Sequence, residues 1–269
     1  MGSTTPSFSS PPQRATFKGL LFDMDGTIID STDAVVKHWH TIGKEIGVDP
    51  NVILETSHGR RSIDTLRALG QDHLANWEYI KKMEALLPKT YGDDAVEIPG
   101  ARELLDAVKS AHIPWAIVTS GTSPLVGGWL DVLKLPIPEN LVVAEDVENG
   151  KPDPSCYLMG LGKLGFAVKE AEDVLVLEDS PAGKFLKIFS GSGFRRFFLG
   201  THVDLNGSGI AAGRAAGCKV LGLVTSHTVE QVMRAQPDWI VKDLSSIKVV
   251  GYSAGGGVEL EILDAQQVD

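Results

Sequence analysis

Two aspartates, Asp23 and Asp25, stand one residue apart where the apolar run Gly19–Phe22 ends in Asp23-Met24-Asp25-Gly26-Thr27. A short apolar run that stops at a polar turn reads as a buried strand handing its side chains to its C-terminal edge. Carboxylates at i and i+2 leave a strand end on the same side and share one site. Left bare, they repel and raise each other's pKa. A hard divalent cation removes that conflict, and Mg²⁺ prefers such oxygen donors. Gly26 permits the tight turn that brings them together. An acidic surface turn could carry the same five residues, so the rest of the chain has to decide.

The arrangement is repeated. Asp173–Leu177 is a second apolar run, and it ends in Glu178-Asp179-Ser180-Pro181-Ala182-Gly183. Pro114–Val118 is a third, followed by Thr119-Ser120-Gly121-Thr122, a hydroxyl-rich turn whose free N–H groups suit an anion. Lys151 sits between Gly150 and Pro152, a stiffly presented cation where most lysines are mobile. Further apolar runs lie near 141–144, 219–224 and 239–241, and helical patterns separate them. Strands alternating with helices predict a doubly wound, mainly parallel α/β sheet. Residues 30–98 break the alternation and read as helices, the first capped by Ser31 or Thr32 and running through Val35, Val36 and Trp39 and the others near 62–70 and 73–87, with Pro88 closing the last. Between the first two lies the basic, glycine-containing turn Thr56-Ser57-His58-Gly59-Arg60-Arg61-Ser62.

Taken in order, DMDGT, AIVTSGT, GKPDP and LEDSPAG resemble the four motifs of the haloacid dehalogenase superfamily in its phosphatase branch. The resemblance implies a Rossmann-like core with an inserted helical cap, and an enzyme that cleaves phosphate monoesters through an aspartyl-phosphate. It implies Asp23 as nucleophile and Asp25 as general acid/base. Asp23, Asp25, Asp179 and Glu178 would hold Mg²⁺, with Glu178 a ligand or a partner behind the ligands. Thr27, Ser120, Gly121 and Lys151 would hold phosphate. The run SHGRRSIDTL looks like the cap segment of the fungal glycerol-phosphate and 2-deoxyglucose-6-phosphate phosphatases, which makes His58 and Arg61 the expected substrate contacts and Arg60 a weaker one. A phosphosugar mutase of the β-phosphoglucomutase type would share the same core and cap.

One segment departs from that pattern. Removing 184–209 restores SPAGIAAGRAAGC, whereas the chain inserts KFLKIFSGSGFRRFFLGTHVDLNGSG, which holds five of its nine Phe. The insert has no clear period and reads as a translated intron, the alternative being a genuine species-specific loop. Gly183-Lys184-Phe185 can be encoded with a GTAAGT donor, and Ser208-Gly209 with a CAG acceptor, in frame. If present in the protein, it is expected to disturb Asp179, weaken Mg²⁺ binding and leave the enzyme silent.

The expected organisation is a disordered tail over 1–16, a core over 17–30 and 98–252, a helical cap over 31–97, and a C-terminal tail over 253–269. Within that tail, Val258, Leu260 and Ile262 alternate as an edge strand would. The chain has 269 residues, 43% of them apolar and 22% charged, ordinary for a globular protein. A net charge of −10 disfavours nucleic acid and anionic membrane as partners. Two cysteines are too few for a disulfide framework and indicate a reducing, cytoplasmic setting. The expected partner is a small phosphate ester, and the expected state a monomer.

Overall fold

The computed structural model describes residues 8–181, 208–253 and 256–266; residues 184–207 of the insert lie outside them. The strands are β1 (Gln13–Phe17), β2 (Gly19–Phe22), β3 (Ile29–Asp30), β4 (Val96–Glu97), β5 (Trp115–Val118), β6 (Asn140–Val142), β7 (Val174–Glu178), β8 (Lys219–Leu223), β9 (Trp239–Val241), β10 (Ile247–Tyr252) and β11 (Val258–Ile262). The helices are α1 (Thr32–Ile46), α2 (Pro50–Ser57), α3 (Ser62–Ala68), α4 (Trp77–Glu84), α5 (Leu87–Tyr91), α6 (Ala101–Ser110), α7 (Ser123–Val132), α8 (Ser155–Lys163), α9 (Gly209–Ala215) and α10 (Val229–Arg234).

Six strands form one parallel sheet in the order β6-β5-β2-β7-β8-β9. Every residue of β2, β5 and β7 is buried, as a parallel sheet covered on both faces requires. Side chains alternate between the faces. Leu20, Phe22, Ile117, Leu175 and Leu177 pack with Leu104, Leu105 and Trp129 on one side. Leu21, Val118, Val174 and Val176 pack with Cys156, Tyr157 and Ile210 on the other. The sheet therefore delivers Asp23, Thr119, Glu178 and Val224 to one C-terminal edge, at the switch in strand order between β2 and β7 where ligands bind in open α/β sheets.

The inserted helices have a core of their own, made of Trp39, Ile42, Ile53, Ile63, Leu66, Ile80 and Met83. The antiparallel pair β3–β4 forms its stem, at the residues where the sequence places the cap junction. The helix expected over 73–87 is divided: α4 covers only its middle, and Pro88 sits in the first turn of α5. Proline lacks an N–H and suits a helix start, where that donor is unused, so it opens the next helix rather than only closing the last.

The described parts of both expected tails carry strands. β11 is the central strand of a three-stranded antiparallel sheet, with β1 on one side and β10 on the other. Val258, Leu260 and Ile262 are fully buried in the main core. The alternation was legible, but the partners are more than 200 residues apart in the case of β1. That pairing makes β11 an interior strand and draws residues 13–16 out of the supposed tail.

Candidate active site

β2 ends with Asp23, whose N–H donates to the Leu177 carbonyl at 3.0 Å, which locks the nucleophile candidate to β7. The residue is 7% exposed. Lys151 reaches it across 2.6 Å and reaches Glu178 across another 2.6 Å. Burial alone would lower the Lys151 pKa; the charges of Asp23 and Glu178 outweigh it and hold the ammonium charged. Burial raises the Asp23 carboxyl well above its usual range, against the opposing pull of Lys151. Asp25 is also raised by burial, and Ser31 Oγ offsets this by donating to it at 2.5 Å. That use of Ser31 explains why it makes no side-chain cap bond to α1.

Glu178 is saturated. One oxygen accepts from Lys151 and from Tyr157 Oη at 3.1 Å, and the other accepts from the Ser180 N–H at 2.8 Å. Asp179 is fully buried. Burial would raise it, but His58, Ser226 and His227 prevail and hold its carboxyl below the usual range. Asp23, Glu178 and Asp179 place one oxygen each within 4.8 Å of one another. Three buried carboxylates against one lysine leave surplus negative charge, and an all-oxygen donor set of that kind fits a hard cation. Gly26 is required here: it has φ +86°, and a Cβ would lie 2.2 Å from Asp179 Oδ2.

Asp23, Asp25, Thr119, Ser120 and Gly121 form the floor of a cavity of about 270 Å³. Its roof is the cap, with His38, Trp39, His58, Gly59, Arg60 and Glu84 among the lining. Ser120 Oγ donates to the Gly59 carbonyl at 2.9 Å, and the Gly121 N–H donates to Thr119 Oγ1 at 3.0 Å. Thr27 is buried and its hydroxyl donates to Asp179 at 3.4 Å, so it supports that carboxylate and does not line the cavity.

His58 stands at the rim with Nε2 3.3 Å from Asp179 Oδ2. Arg61 departs from expectation. Its guanidinium donates to Asp64, to the carbonyls of Ala144 and Val147, and to that of Glu148. It is 3% exposed and ties the cap to the segment leading into Lys151, with no donor turned to the cavity. A guanidinium fork matches clustered oxygens, and here they are backbone carbonyls. Arg60 lines the cavity instead, and its Nη1 is buried without a partner, as is Nε2 of His38.

Sequence reasoning missed several residues. Glu84 accepts from Ser62 Oγ at 2.5 Å, from the Thr122 N–H at 2.8 Å and from Thr122 Oγ1 at 2.6 Å, so a cap carboxylate grips the core. Its place on the apolar stripe Ile80, Met83, Glu84, Leu87 was the available signal. Ser226 and His227 follow β8 and close on Asp179 from the far side. The sheet-edge rule that found Asp23 reaches this turn as well.

The insert does not displace the second acidic pair. The Gly209 N–H donates to Ser180 Oγ at 3.0 Å, and the Ile210 N–H donates to the Ser180 carbonyl at 3.2 Å. The N-cap of α9 is Ser208, whose Oγ accepts from the Ala211 N–H at 3.1 Å, and the two bonds to Ser180 tie the start of that helix to the segment after β7. A Cβ at Gly209 would overlap Glu178, so the residue returning from the insert has to be glycine. Asp179 stays buried and bonded, contrary to the expectation that the insert disturbs it.

A Haloacid dehalogenase-like hydrolase model matches residues 20–184, and the chain belongs to that family. Glycerol-1-phosphate phosphohydrolase 1 of Saccharomyces cerevisiae is 35% identical, with 91% of this chain and 90% of the relative covered. 2-Deoxyglucose-6-phosphate phosphatase 1 of the same yeast is 30% identical over 88% of this chain and 92% of its own length. Among solved structures, a hydrolase from Pseudomonas syringae matches with a TM-score of 0.64 at 23% identity, covering 84% of this chain and 94% of its own. It shares the fold.

Proposed function

We propose that this chain is a Mg²⁺-dependent phosphatase for small polyol or sugar phosphates, acting through an aspartyl-phosphate on Asp23. One observation carries the reading: a buried Asp23, 2.6 Å from Lys151, faces a cap-roofed cavity of about 270 Å³. That volume is below the usual range of about 300–1,000 Å³ for drug-sized ligands, so it favours a small ester over a nucleotide or protein. Two buried, partnerless nitrogens, Arg60 Nη1 as a donor and His38 Nε2, suit a substrate rich in hydroxyl or phosphate oxygens. The two yeast relatives' names point to the same substrate class.

Asp23 attacks phosphorus in line while Asp25 gives a proton to the leaving alcohol oxygen. Asp25 then takes a proton from the water that attacks the aspartyl-phosphate, and inorganic phosphate leaves with Asp23 restored. Lys151 neutralises charge beside the nucleophile, and Ser120 and Gly121 orient phosphate oxygens. Bound Mg²⁺, held by Asp23, Asp25 and Asp179 with Glu178 behind them, supplies charge stabilisation to the transferring group. Cap closure excludes bulk water. The core over 17–30 and 98–252 and the cap over 31–97 divide these tasks. No helix among the described residues is long and apolar enough to cross a membrane. Two free, buried cysteines support a reducing, cytoplasmic setting, and we read the chain as a monomer.

The test is phosphate release from glycerol 3-phosphate and 2-deoxyglucose 6-phosphate with Mg²⁺, on the full chain and on the chain lacking 184–209. Release abolished by EDTA and by Asp23→Asn is expected. Turnover of a phosphosugar without net phosphate release would replace the phosphatase by a mutase. Activity in the shortened chain alone would make the insert an interruption of an otherwise competent enzyme.

A further inference from the structure

His58, His227 and Asp179 place one ligand atom each within 4.8 Å of the others. They come from three separate elements: the C-terminal end of α2 in the cap, the turn after β8, and the end of β7. His58 Nε2 is 3.3 Å from Asp179 Oδ2, and His227 Nδ1 is 3.9 Å from that same oxygen. Tetrahedral zinc with bonds of about 2.0–2.2 Å separates its ligands by about 3.4 Å, so the first distance fits as it stands and the second needs a shift of about half an ångström. The two imidazoles meet edge to face with centroids 4.6 Å apart, which leaves their planes 76° apart, not stacked. Ser226 Oγ lies 2.9 Å from His227 Nδ1 and also touches Asp179 Oδ2. Ser226 Oγ therefore already bridges two of the three groups.

From this we infer a second divalent-cation site, made of His58, His227 and Asp179, that takes a borderline-soft ion of the Zn²⁺ class and pins the cap to the core. The donor sets separate the two sites. Imidazole suits Zn²⁺, Ni²⁺ and Cu²⁺, whereas Mg²⁺ demands hard oxygens. Asp179 belongs to both sets, so an ion held by the two histidines competes for the carboxylate that the Mg²⁺ site needs. It also bonds His58 of the cap to His227 of the core. Both consequences lower turnover: one removes a ligand, the other holds the cap shut. His58 is the exposed member, which gives the ion a way in. The inference concerns metal binding and does not depend on which ester is hydrolysed.

The test titrates the full chain with Zn²⁺ against a chromophoric chelator, with Mg²⁺ at saturating millimolar concentration, and repeats it with Co²⁺ as a visible probe. One Zn²⁺ per chain is expected, and the Co²⁺ form should show the intense visible absorption of a four-coordinate site. His227→Asn and His58→Asn should each weaken binding by more than the 10–100-fold that loss of an outer-shell partner costs, and should abolish the Co²⁺ band. Zn²⁺ should inhibit the Mg²⁺-supported reaction of the parent chain and spare that of His227→Asn. Far-ultraviolet circular dichroism and melting of both variants establish that they fold, and the histidines contribute from opposite sides of the interface, so one serves if the other does not. Zn²⁺ affinity unchanged in either folded variant would overturn the inference and place the ion on the carboxylates. So would the faint absorption of an all-oxygen six-coordinate Co²⁺ site, or no Zn²⁺ bound at all. Because binding is read without substrate, an inactive chain would refute the phosphatase reading and leave this test intact.

Discussion

At the scale of single residues, the site is an arrangement of buried charge around one lysine. Asp23→Asn keeps the shape and removes the nucleophile, so activity is expected to fall at least about 10³-fold with the fold intact, read as phosphate release beside a melting curve. Gly26→Ala tests the geometry instead of the chemistry. Its φ of +86° and the 2.2 Å approach of a Cβ to Asp179 force either backbone strain or displacement of that carboxylate. Strain of this sort costs about 1–3 kcal/mol, and Mg²⁺ affinity, measured by calorimetry, should drop with it. Asp23, Asp25, Lys151, Glu178 and Asp179 were legible because each follows an apolar run or stands between stiff residues. Ser226 and His227 were not, because a serine and a histidine after a strand gain meaning only once β8 is placed beside β7. Arg61 was misjudged for a related reason: sequence shows a guanidinium, and only the fold shows three carbonyls around it.

Elements decide how the cap meets the core. Glu84 of α4 is the clearest contact, and it is titratable. Burial raises its carboxyl above the ordinary 4.5, while Ser62 and Thr122 pull the other way by bonding it. A raised folded pKa means that the folded chain holds the proton more tightly than the unfolded one. The contribution to stability is therefore full below pH 4.5 and is lost as pH rises through the folded value. Glu84→Gln is expected to match the parent at low pH and to become relatively more stable above it, seen as diverging melting temperatures between pH 4 and 8. Arg61→Lys addresses the other latch. Lysine keeps the charge but not the fork, so the carbonyls of Ala144, Val147 and Glu148 lose donors. KM should rise more than kcat falls, as a loosened cap predicts and a lost catalytic group does not. The sheet of β1, β11 and β10 was half legible: alternation at Val258, Leu260 and Ile262 announced a strand, but nothing local could name β1, at the other end of the chain, as a partner. Leu260→Ala, fully buried between them, should cost about 2–5 kcal/mol.

For the whole molecule, the question is how a chain interrupted inside its fourth motif still assembles that motif. The parallel sheet holds β7 by pairing with β2 and β8 on either side, so Glu178 and Asp179 are fixed from the strand and not from the segment after them. Ser180 then accepts from the N–H groups of Gly209 and Ile210 at the start of α9, whose own cap is Ser208. The sequence alone pointed to a broken site, because it could show the interruption but not that the chain after it bonds back to Ser180. The shortened chain is accordingly expected to fold with the same Asp179 environment. It should melt no lower than the full chain, since closing a loop costs about 0.6 kcal/mol more for each doubling of its length. Calorimetric Mg²⁺ titration of the two purified forms checks this. Equal affinities would show that the acidic pair is set by β7. A much weaker full chain would show that the insert reaches the metal ligands after all, and would return the interruption to the role of a silencing element.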